Sequence, residues 1–407
     1  MKIFTKTFFI TTFGCKVNQY ESSAISALMT LRGLVQAKSG SDCDVHIINS
    51  CTVTDHTDRK VKSLITRLKK ERPDTKVILC GCFPKAFPQK AAETGADEVI
   101  QGKFTECESY KIASEDFLPP ISLQKERTRA FLKIQDGCNR DCAYCIIPKA
   151  RDVLYSRSVS DIAAEAAALV KAGHKEIVVT GINLCLYEPS LIDAVERICR
   201  VDGLVRVRLG SLEPDLISET DIKRLSRLPN LTPHFHLSLQ SGSDRVLSRM
   251  NRRYTTSEYR LKAELIRRLF DSPALTTDII AGFPGETDDD FAETLAFARE
   301  MRFAKIHGFA YSVRGGTAAA EMTGQVPKSV KVERMSRLSE TAQSLRRDFF
   351  ESLIGTKREV LVEKSGFGHT ACYCPVKIVG DCEENCVVTV TIESVGDGFC
   401  QGVVDNE

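Results

Sequence analysis

Apolar residues in the first hundred positions follow two periods that alternate along the chain. Short apolar runs at 8–12, 45–48 and 76–79 predict buried strands. Between them, apolar residues recur at i, i+3 and i+4, which predicts one helix over 20–34 and another that begins near 54. Alternating strands and helices are typical of a parallel sheet with helices on its faces. We therefore predict a parallel α/β domain over residues 1–110.

The same alternation resumes after residue 128. The predicted strands lie at 130–135, 176–180, 205–209, 234–239, 275–281 and 305–310. Helical patterns lie between them, for example at 160–172 and 288–301. Six βα units are too few for the eight of a closed TIM barrel. We therefore predict a partial, TIM-like (βα)6 barrel over 128–350.

The pattern changes again in the last fifty residues. Short β-type runs at 359–362, 376–379 and 387–392 are separated by turns that contain glycine. They predict a small antiparallel β-barrel over 355–407. Residues 103–127 lose the alternation and contain Pro119-Pro120, which indicates a linker. The fold class is thus α/β, with three domains.

Composition adds one anomaly to this outline. The chain has 407 residues, of which 43% are apolar and 27% charged, as in an ordinary globular protein, but it has 16 cysteines. The start of the chain does not resemble a secretory signal, and no run of 18 apolar residues predicts a membrane span. We therefore expect a reducing cytoplasm with about half of the cysteines bound to metal. The net charge of +2 predicts no global attraction to nucleic acid.

Three cysteines each follow a predicted strand of the first domain. Cys15, Cys51 and Cys82, here called the dispersed triad, are separated by 36 and 31 residues. Loops at the carboxyl ends of parallel strands open on one edge, so these thiols can converge. Three thiolates match three irons of a 4Fe–4S cluster. There are two alternatives: a zinc site that includes His56, or three unrelated buried thiols. Cys80 is expected to face the core.

A second set of cysteines lies within eight residues, directly after the first strand of the predicted barrel. Cys138, Cys142 and Cys145 form a CxxxCxxC loop, here called the compact triad. Closely spaced thiolates of this kind hold iron–sulfur clusters. The absence of a nearby fourth cysteine argues against a ferredoxin or a structural zinc site. It leaves one iron open for a chelating substrate.

A CxxxCxxC loop after a strand that opens a βα barrel resembles the radical S-adenosylmethionine superfamily. Further segments of the chain resemble the methylthiotransferases of that superfamily. These segments are 14–22, 49–54, 81–82, 206–214, 236–242 and 278–286. The order Cys-Lys-Val-Asn-Gln-Tyr-Glu at 15–21 and Thr-Gly-Ile-Asn-Leu at 180–184 resemble the branch that acts on N6-threonylcarbamoyladenosine in tRNA.

The resemblance implies a role for each set of residues. The compact triad would hold the radical-generating cluster, and the dispersed triad an auxiliary cluster that carries or donates sulfur. Tyr144 would lie against the adenine of S-adenosylmethionine. Polar residues at the strand ends would line the cofactor pocket, although each could equally be an ordinary satisfied polar group. They are Thr180, Ser211, Glu213, His236, Gln240 and Asp278.

The resemblance also implies an RNA partner. The terminal module resembles a TRAM domain, a small barrel found on RNA-modifying enzymes, but residues 355–407 carry four Lys/Arg and nine Asp/Glu, which suits phosphate poorly. Its five cysteines match no metal pattern and are expected in the core. Basic residues elsewhere are the candidate RNA contacts, with a solvated helix face as the alternative. They are Lys149, Arg151, Arg157, Arg245, Arg249 and Arg252.

Together these features predict an enzyme that adds a methylthio group to C2 of threonylcarbamoyladenosine beside the tRNA anticodon. The expected cofactors are two 4Fe–4S clusters and S-adenosylmethionine, which is both methyl donor and radical source. The expected partners are the anticodon loop, a reductant protein and a sulfur donor, with neither membrane nor DNA. The alternatives are the same chemistry on another tRNA adenosine or a ribosomal-protein aspartate, or a two-cluster protein for electron transfer or RNA binding.

Overall fold

The computed structural model describes residues 6–40, 42–102, 104 and 128–405. The predicted linker at 103–127 lies outside these residues except for residue 104. The chain divides into two compact units: the first comprises 1–125, 135–155 and 312–320, and the second 126–134, 156–311 and 321–407. The predicted domain limits 1–110, 128–350 and 355–407 stay a prediction.

A five-stranded parallel sheet is the centre of the first unit. Its strands are β1 (Thr7–Thr12), β2 (Val35–Gln36), β3 (Val45–Ser50), β4 (Lys76–Gly81) and β5 (Glu98–Val99). Their order is β2-β1-β3-β4-β5. The three long strands confirm the prediction. The two edge strands were missed because two residues show no period. The order reverses between β1 and β3, and such a switch point opens a crevice at the carboxyl ends of the strands.

Helices cover both faces of this sheet. They are α1 (Lys16–Leu31), α2 (Asp55–Glu71), α3 (Cys82–Ala86) and α4 (Pro88–Ala92). Ile25 and Met29 of α1 pack on one face, and Ile65 and Leu68 of α2 pack on the other. The hydroxyl of Thr54 accepts the N–H of Thr57 at 3.4 Å and caps α2, as the sequence predicts. Each face therefore has its own apolar core.

From residue 129 to 310 the strands follow one another in nearly the predicted positions. They are β6 (Arg129–Lys133), β7 (Gln135–Asp136), β8 (Tyr155–Ser156), β9 (Glu176–Thr180), β10 (Arg206–Leu209), β11 (Ser211–Leu212), β12 (His234–Leu237), β13 (Ala274–Ala281) and β14 (Lys305–Ala310). The helices are α5 (Ile147–Ala150), α6 (Val159–Lys171), α7 (Leu191–Cys199), α8 (Glu219–Leu225), α9 (Asp244–Arg249), α10 (Thr256–Leu269), α11 (Asp288–Glu300), α12 (Ala318–Glu321) and α13 (Lys328–Glu351), with a 3-10 turn at Leu184–Leu186.

The second unit contains the partial barrel. Strands β6, β9 and β10 pair in sequence order, as do β11 to β14, and all these pairs are parallel. Gly210 separates β10 from β11, where one strand was predicted with its end at 209. Buried residues such as Leu132, Val179 and Leu237 form one core with the surrounding helices. The predicted partial barrel is confirmed.

The end of the chain forms a closed barrel. Its strands are β15 (Lys357–Lys364), β16 (Phe367–Thr370), β17 (Pro375–Val379), β18 (Val387–Val395) and β19 (Cys400–Val404). They close in the order β15-β16-β17-β19-β18. The prediction of an antiparallel barrel was wrong at one place, because β17 and β19 pair in parallel. Five strands in a ring cannot alternate direction throughout, so one parallel pair is unavoidable.

Among the described residues, no helix combines the length and the apolar character that a membrane crossing requires.

Candidate functional site

The dispersed triad lies where three neighbouring strands end. Cys15 is the N-cap of α1 after β1, Cys51 follows β3 directly, and Cys82 begins α3 after β4. Cys15 is exposed, whereas Cys51 and Cys82 are buried. The three thiols are close enough for the charge on one to raise the pKa of another. The fold therefore brings these cysteines together at the switch point, as the spacing predicted.

Two buried asparagines join the loops that carry Cys15 and Cys51. The Nδ2 of Asn49 donates to the carbonyl oxygen of Asn18 at 2.9 Å and to the hydroxyl of Ser22 at 3.0 Å. In return, the Nδ2 of Asn18 donates to the Oδ1 of Asn49 at 3.3 Å, and its Oδ1 accepts the N–H of Cys15 at 3.2 Å. Both side chains are almost fully buried. Such satisfied networks rigidify their surroundings, so these residues fix one loop against the other.

Glycines before the cysteines allow a close approach of the backbones. Gly81 has φ +96°, and a Cβ there would lie 2.4 Å from the carbonyl oxygen of Ser50. A Cβ on Gly14, whose φ is +136°, would lie 2.9 Å from the Cβ of Cys51. Only glycine combines this backbone conformation with this lack of space. The Gly-Cys pairs at 14–15 and 81–82 are therefore part of the geometry that gathers the thiols.

The surroundings of the dispersed triad suit a sulfur-ligated metal cluster. Burial raises the pKa of Cys51 to about 11, and burial also raises the pKa of Cys82, against the charge of Arg151. A bound metal would favour the thiolates, since metal ligation displaces thiol protons. The N–H of Val53 lies 3.5 Å from the Sγ of Cys51 as a donor to sulfur. Residues that donate to the ligating atoms are typical of metal sites.

The spacing of ligand atoms bears on the zinc alternative. A tetrahedral zinc with Zn–S bonds of about 2.3 Å brings two sulfurs to within about 4 Å. Three possible ligand atoms of His, Cys, Asp or Glu that all lie within 4.8 Å of one another could hold a metal ion. Among the described residues, His236, Asp278 and His307 form such a group. The dispersed triad is not such a group, and its three thiols match three irons of a 4Fe–4S cluster. His56 is exposed on the first turn of α2.

The compact triad lies in a short loop of the first unit. Cys138, Cys142 and Cys145 are half-buried, between β7 and α5. The side-chain amide of Gln135 donates to the carbonyl oxygens of Asp136 and Gly137, at 2.8 Å each, and fixes the start of the loop. The N–H of Cys145 donates to the carbonyl oxygen of Cys142 at 3.0 Å. Local turns therefore present the three thiols.

Arg151, one of the candidate RNA contacts, is buried beside the cysteines. Its side chain is only 10% exposed and forms a two-point ion pair with Glu21, at 2.7 Å for each bond. It also contacts both carboxylate oxygens of Asp136 at 3.0 Å and donates from Nε to the Sγ of Cys82 at 3.3 Å. Burial lowers the pKa of Arg151, but Glu21, Cys82 and Asp136 together raise it well above its usual range. This arginine belongs to the cysteine site.

Sequence reasoning also missed Arg314. Its buried guanidinium donates to the hydroxyl of Thr52 and to a carboxylate oxygen of Asp58, at 2.6 Å each, and lies over the ring of Phe87 at 4.6 Å. Thr52 is the residue after Cys51. An ion pair between residues 256 positions apart leaves no local pattern, so only the fold reveals it.

The predicted cofactor residues of the second unit lie at strand ends, as expected. Thr180 ends β9 and is buried, and Ser211 begins β11 and is exposed. Glu213 follows β11 and is ion-paired with Arg252. Tyr144, the remaining predicted residue, belongs to the first unit and is half-buried in the compact loop.

A polar group lies inside the partial barrel. The Nε2 of His236 is 3.4 Å from a carboxylate oxygen of Asp278, and its Nδ1 bonds the hydroxyl of Thr276 at 3.1 Å. The ring of His307 on β14 lies 5.9 Å from that of His236, and sequence reasoning missed it. The sequence did offer one indication of His307: it lies on the predicted strand that follows the strand of Asp278. Gln240 has φ +70°, and its backbone bonds β13.

The candidate RNA contacts divide by exposure. Arg252 is buried against Glu213 and Tyr254, which contradicts its predicted place on an exposed rim. Arg157 is ion-paired with Glu165, and Arg245 with Asp290. Arg249 donates to the carbonyl oxygen of Pro284 at 3.1 Å, and Lys149 is exposed. The burial of these arginines was not foreseen, because charge in the sequence does not reveal an internal partner.

The other cysteines mostly serve packing. Cys80 faces the core of the first unit, as predicted. Cys372, Cys374 and Cys400 belong to the core of the terminal barrel, and Cys382 and Cys386 pack against it. In the second unit, burial raises the pKa of Cys185 and of Cys199 to about 12 each. Thiols in such surroundings stay protonated and unreactive.

Comparison with known proteins shows which enzyme class has this architecture. Residues 132–298 match the model of the radical SAM superfamily, and residues 7–102 match that of uncharacterized protein family UPF0004. In the solved structures, the radical S-adenosylmethionine methyltransferase TsrM from Kitasatospora setae has a similar fold, with TM-score 0.59 and 13% identity over 78% of this chain and 77% of that chain. The class is thus the radical S-adenosylmethionine enzymes.

Curated relatives narrow the class to a family. The threonylcarbamoyladenosine tRNA methylthiotransferase MtaB of Thermotoga maritima is 37% identical over 382 residues, which cover 88% of this chain and 87% of the relative. The tRNA-2-methylthio-N(6)-dimethylallyladenosine synthase of Pelotomaculum thermopropionicum is 34% identical over 88% of this chain and 87% of its own length. This chain belongs to the radical S-adenosylmethionine methylthiotransferase family, in its threonylcarbamoyladenosine branch. It is an enzyme whose cofactors are S-adenosylmethionine and two 4Fe–4S clusters.

Proposed function

We propose that this protein adds a methylthio group to C2 of N6-threonylcarbamoyladenosine beside the anticodon of tRNA. The observation that carries the proposal is the presence of two separate cysteine triads, each with three thiols, in a chain whose relatives are named for this reaction. Three thiols for each cluster leave one iron of each open for chemistry, whereas an electron carrier would ligate all four.

We assign the six cysteines by their surroundings. The compact triad is half-buried in a turn-rich loop, which suits the cluster that S-adenosylmethionine must reach. The dispersed triad has two buried thiols, which suits an auxiliary cluster whose sulfur is protected from water. When bound, the clusters and S-adenosylmethionine supply the sulfur, the methyl group and a 5′-deoxyadenosyl radical that takes hydrogen from C2.

The other residues of the site bind and orient. Asn18 and Asn49 hold the loops of Cys15 and Cys51 together, and Gln135 fixes the start of the compact loop. Seven residues are proposed to contact S-adenosylmethionine, on the resemblance to the family and their positions. They are Tyr144, Thr180, Ser211, Glu213, His236, Gln240 and Asp278.

The partners of the enzyme follow from the reaction. The anticodon loop must present C2 of a stacked base, which requires that the base be splayed from its neighbours. Lys149 is exposed and pairs with no carboxylate among the described residues, so we retain it as a phosphate contact; Arg245, exposed but ion-paired with Asp290, and Arg249 are secondary candidates. A reductant protein and a sulfur donor complete the set, in a reducing cytoplasm.

A substrate comparison tests the proposal. The reconstituted enzyme is given two tRNA anticodon stem-loops that differ in one nucleoside, threonylcarbamoyladenosine or dimethylallyladenosine, and methylthio products are measured by mass spectrometry. We expect product with the first substrate only. Product with the second alone would reassign the enzyme to the activity named for the relative at 34% identity. If the enzyme cleaves S-adenosylmethionine but forms a methylthio product with neither stem-loop, both substrate assignments are wrong.

A further inference from the structure

Arg151 contacts both cysteine triads of the first unit. Its side chain reaches the dispersed triad, since its Nε donates to the Sγ of Cys82 at 3.3 Å. Its backbone reaches the compact triad, since its carbonyl oxygen accepts the N–H of Cys138 at 3.3 Å. One residue therefore connects a proposed ligand of one cluster with a proposed ligand of the other.

The guanidinium of Arg151 is held rigidly in this position. Glu21 binds it through two bonds of 2.7 Å, and Asp136 accepts from its Nη1 at 3.0 Å. A planar guanidinium can bond a carboxylate through its two Nη atoms while its Nε–H points to another acceptor. A lysine cannot do this. Glu21 lies on α1, which Cys15 caps, and Asp136 lies two residues before Cys138. Each carboxylate thus fixes the arginine to an element that carries a cysteine.

Packing around the arginine reinforces the connection. Cys82 and Ala86 of α3 form a small apolar core with Ile146 and Ala150, which flank the compact loop. Beside this core, Lys85 of α3 is ion-paired with Asp152 at 2.6 Å, at the surface. The same two segments are therefore joined by one buried cation, Arg151, that touches sulfur and by one half-buried cation, Lys85, that does not.

We propose that Arg151 is a positioning residue that sets the reduction potential of the auxiliary cluster through its bond to Cys82 and keeps the two cysteine loops in register. The inference rests on the proposed assignment of the dispersed triad to that cluster. Hydrogen bonds and positive charge at a ligating sulfur stabilise the reduced cluster, which carries the extra electron. Loss of Arg151 should therefore lower the potential.

The auxiliary cluster can be measured alone. In a variant with alanine at Cys138, Cys142 and Cys145, a spectroscopic redox titration reports only the cluster of the dispersed triad. On this background, Arg151→Met should lower the equilibrium constant for reduction at least about tenfold, or 59 mV for one electron. Arg151→Lys should give a smaller fall because it keeps charge without the fork. The matched control Lys85→Met should leave the potential unchanged.

The outcomes separate this inference from the proposed function. If the background variant holds no cluster while Arg151 is intact, the assignment of the dispersed triad is wrong. If it holds a cluster whose potential is the same with methionine at 151, the inference is overturned. An equal shift in Lys85→Met would also overturn it, since any nearby cation would then suffice.

A second measurement covers the case in which Arg151→Met does not fold. The double variant Glu21→Leu/Arg151→Met removes the principal buried partners together and avoids leaving Glu21 unpaired. In the otherwise native enzyme, it should form several-fold more 5′-deoxyadenosine per methylthio product, because the auxiliary site is impaired while cofactor cleavage continues. A proportional fall of both products, with no change in their ratio, would mean that Arg151 is merely structural.

Discussion

The compact and the dispersed triad each bring three thiols together, but they do so in opposite ways. The compact triad needs eight consecutive positions and a few local turns, and its thiols stay half-buried. The dispersed triad needs three strands in parallel register, two glycines with positive φ and a buried pair of asparagines. The first site is therefore a property of the loop. The second is a property of the fold and should respond to changes far from any cysteine.

The largest effect should come from the compact triad. Cys142→Ala removes one of the three proposed ligands of the radical-generating cluster, and cofactor cleavage should fall to background. The measurement is 5′-deoxyadenosine by mass spectrometry, with Cys199→Ala as a control that removes a thiol outside both triads. Cleavage at the normal rate in Cys142→Ala would show that the compact triad is not the radical site.

The next largest effect should separate the two triads. Cys51→Ala should keep cofactor cleavage, stop methylthio transfer and lower bound iron by about half, because only one of two four-iron clusters is lost. Iron analysis and product analysis on one preparation check this. If cleavage disappears as well, the two sites do not act independently and the contrast between them fails.

A smaller effect should show that the dispersed triad depends on the fold. Gly81→Ala places a Cβ against the Ser50 carbonyl at an unfavourable φ and should destabilise the protein by about 3 kcal/mol. Gly95→Ala also has positive φ but an open site, so about 1–2 kcal/mol is expected. Urea unfolding gives the difference, and iron analysis should show preferential loss of the auxiliary cluster in Gly81→Ala. Equal stability of the two variants would refute the steric argument.

The smallest effect concerns the exposed lysine after the compact triad. Lys149→Ala should weaken tRNA binding modestly and reduce the slope of log K against log salt by about one, because one phosphate contact is lost. Filter binding at several salt concentrations measures the slope. Lys38→Ala, on the exposed surface outside both triads, is the control. An unchanged slope would remove Lys149 from the RNA surface.

Several elements followed from local pattern alone. The strands at 176–180 and 305–310 and the start of α2 at Thr54 were predicted almost to the residue, because apolar period and capping chemistry are local. The CxxxCxxC loop was predicted correctly as a local motif for the same reason, because its cysteines are close together in the chain. Strands of two residues, such as β2 and β5, show no period and appear only when a neighbouring strand pairs with them.

Charged residues show most clearly what the sequence could not decide. Arg151, Arg252 and Arg314 look alike in the chain, yet all three are buried in ion pairs. Their carboxylate partners Asp136, Glu213 and Asp58 lie 15, 39 and 256 positions away. A charge in a sequence does not state whether it faces water or a carboxylate. His307 was missed because the two residues it lies beside, His236 and Asp278, are on the separate strands β12 and β13.

The sequence by itself determined the family, the compact triad and the order of strands and helices, since each depends on residues near one another in the chain. The tertiary structure alone decided that β1, β3 and β4 lie side by side, that Gly81 must lack a side chain, and that Arg151 contacts Cys82. The reason is physical: long-range contacts depend on how elements pack, and packing combines many weak local preferences that no single segment of the chain contains.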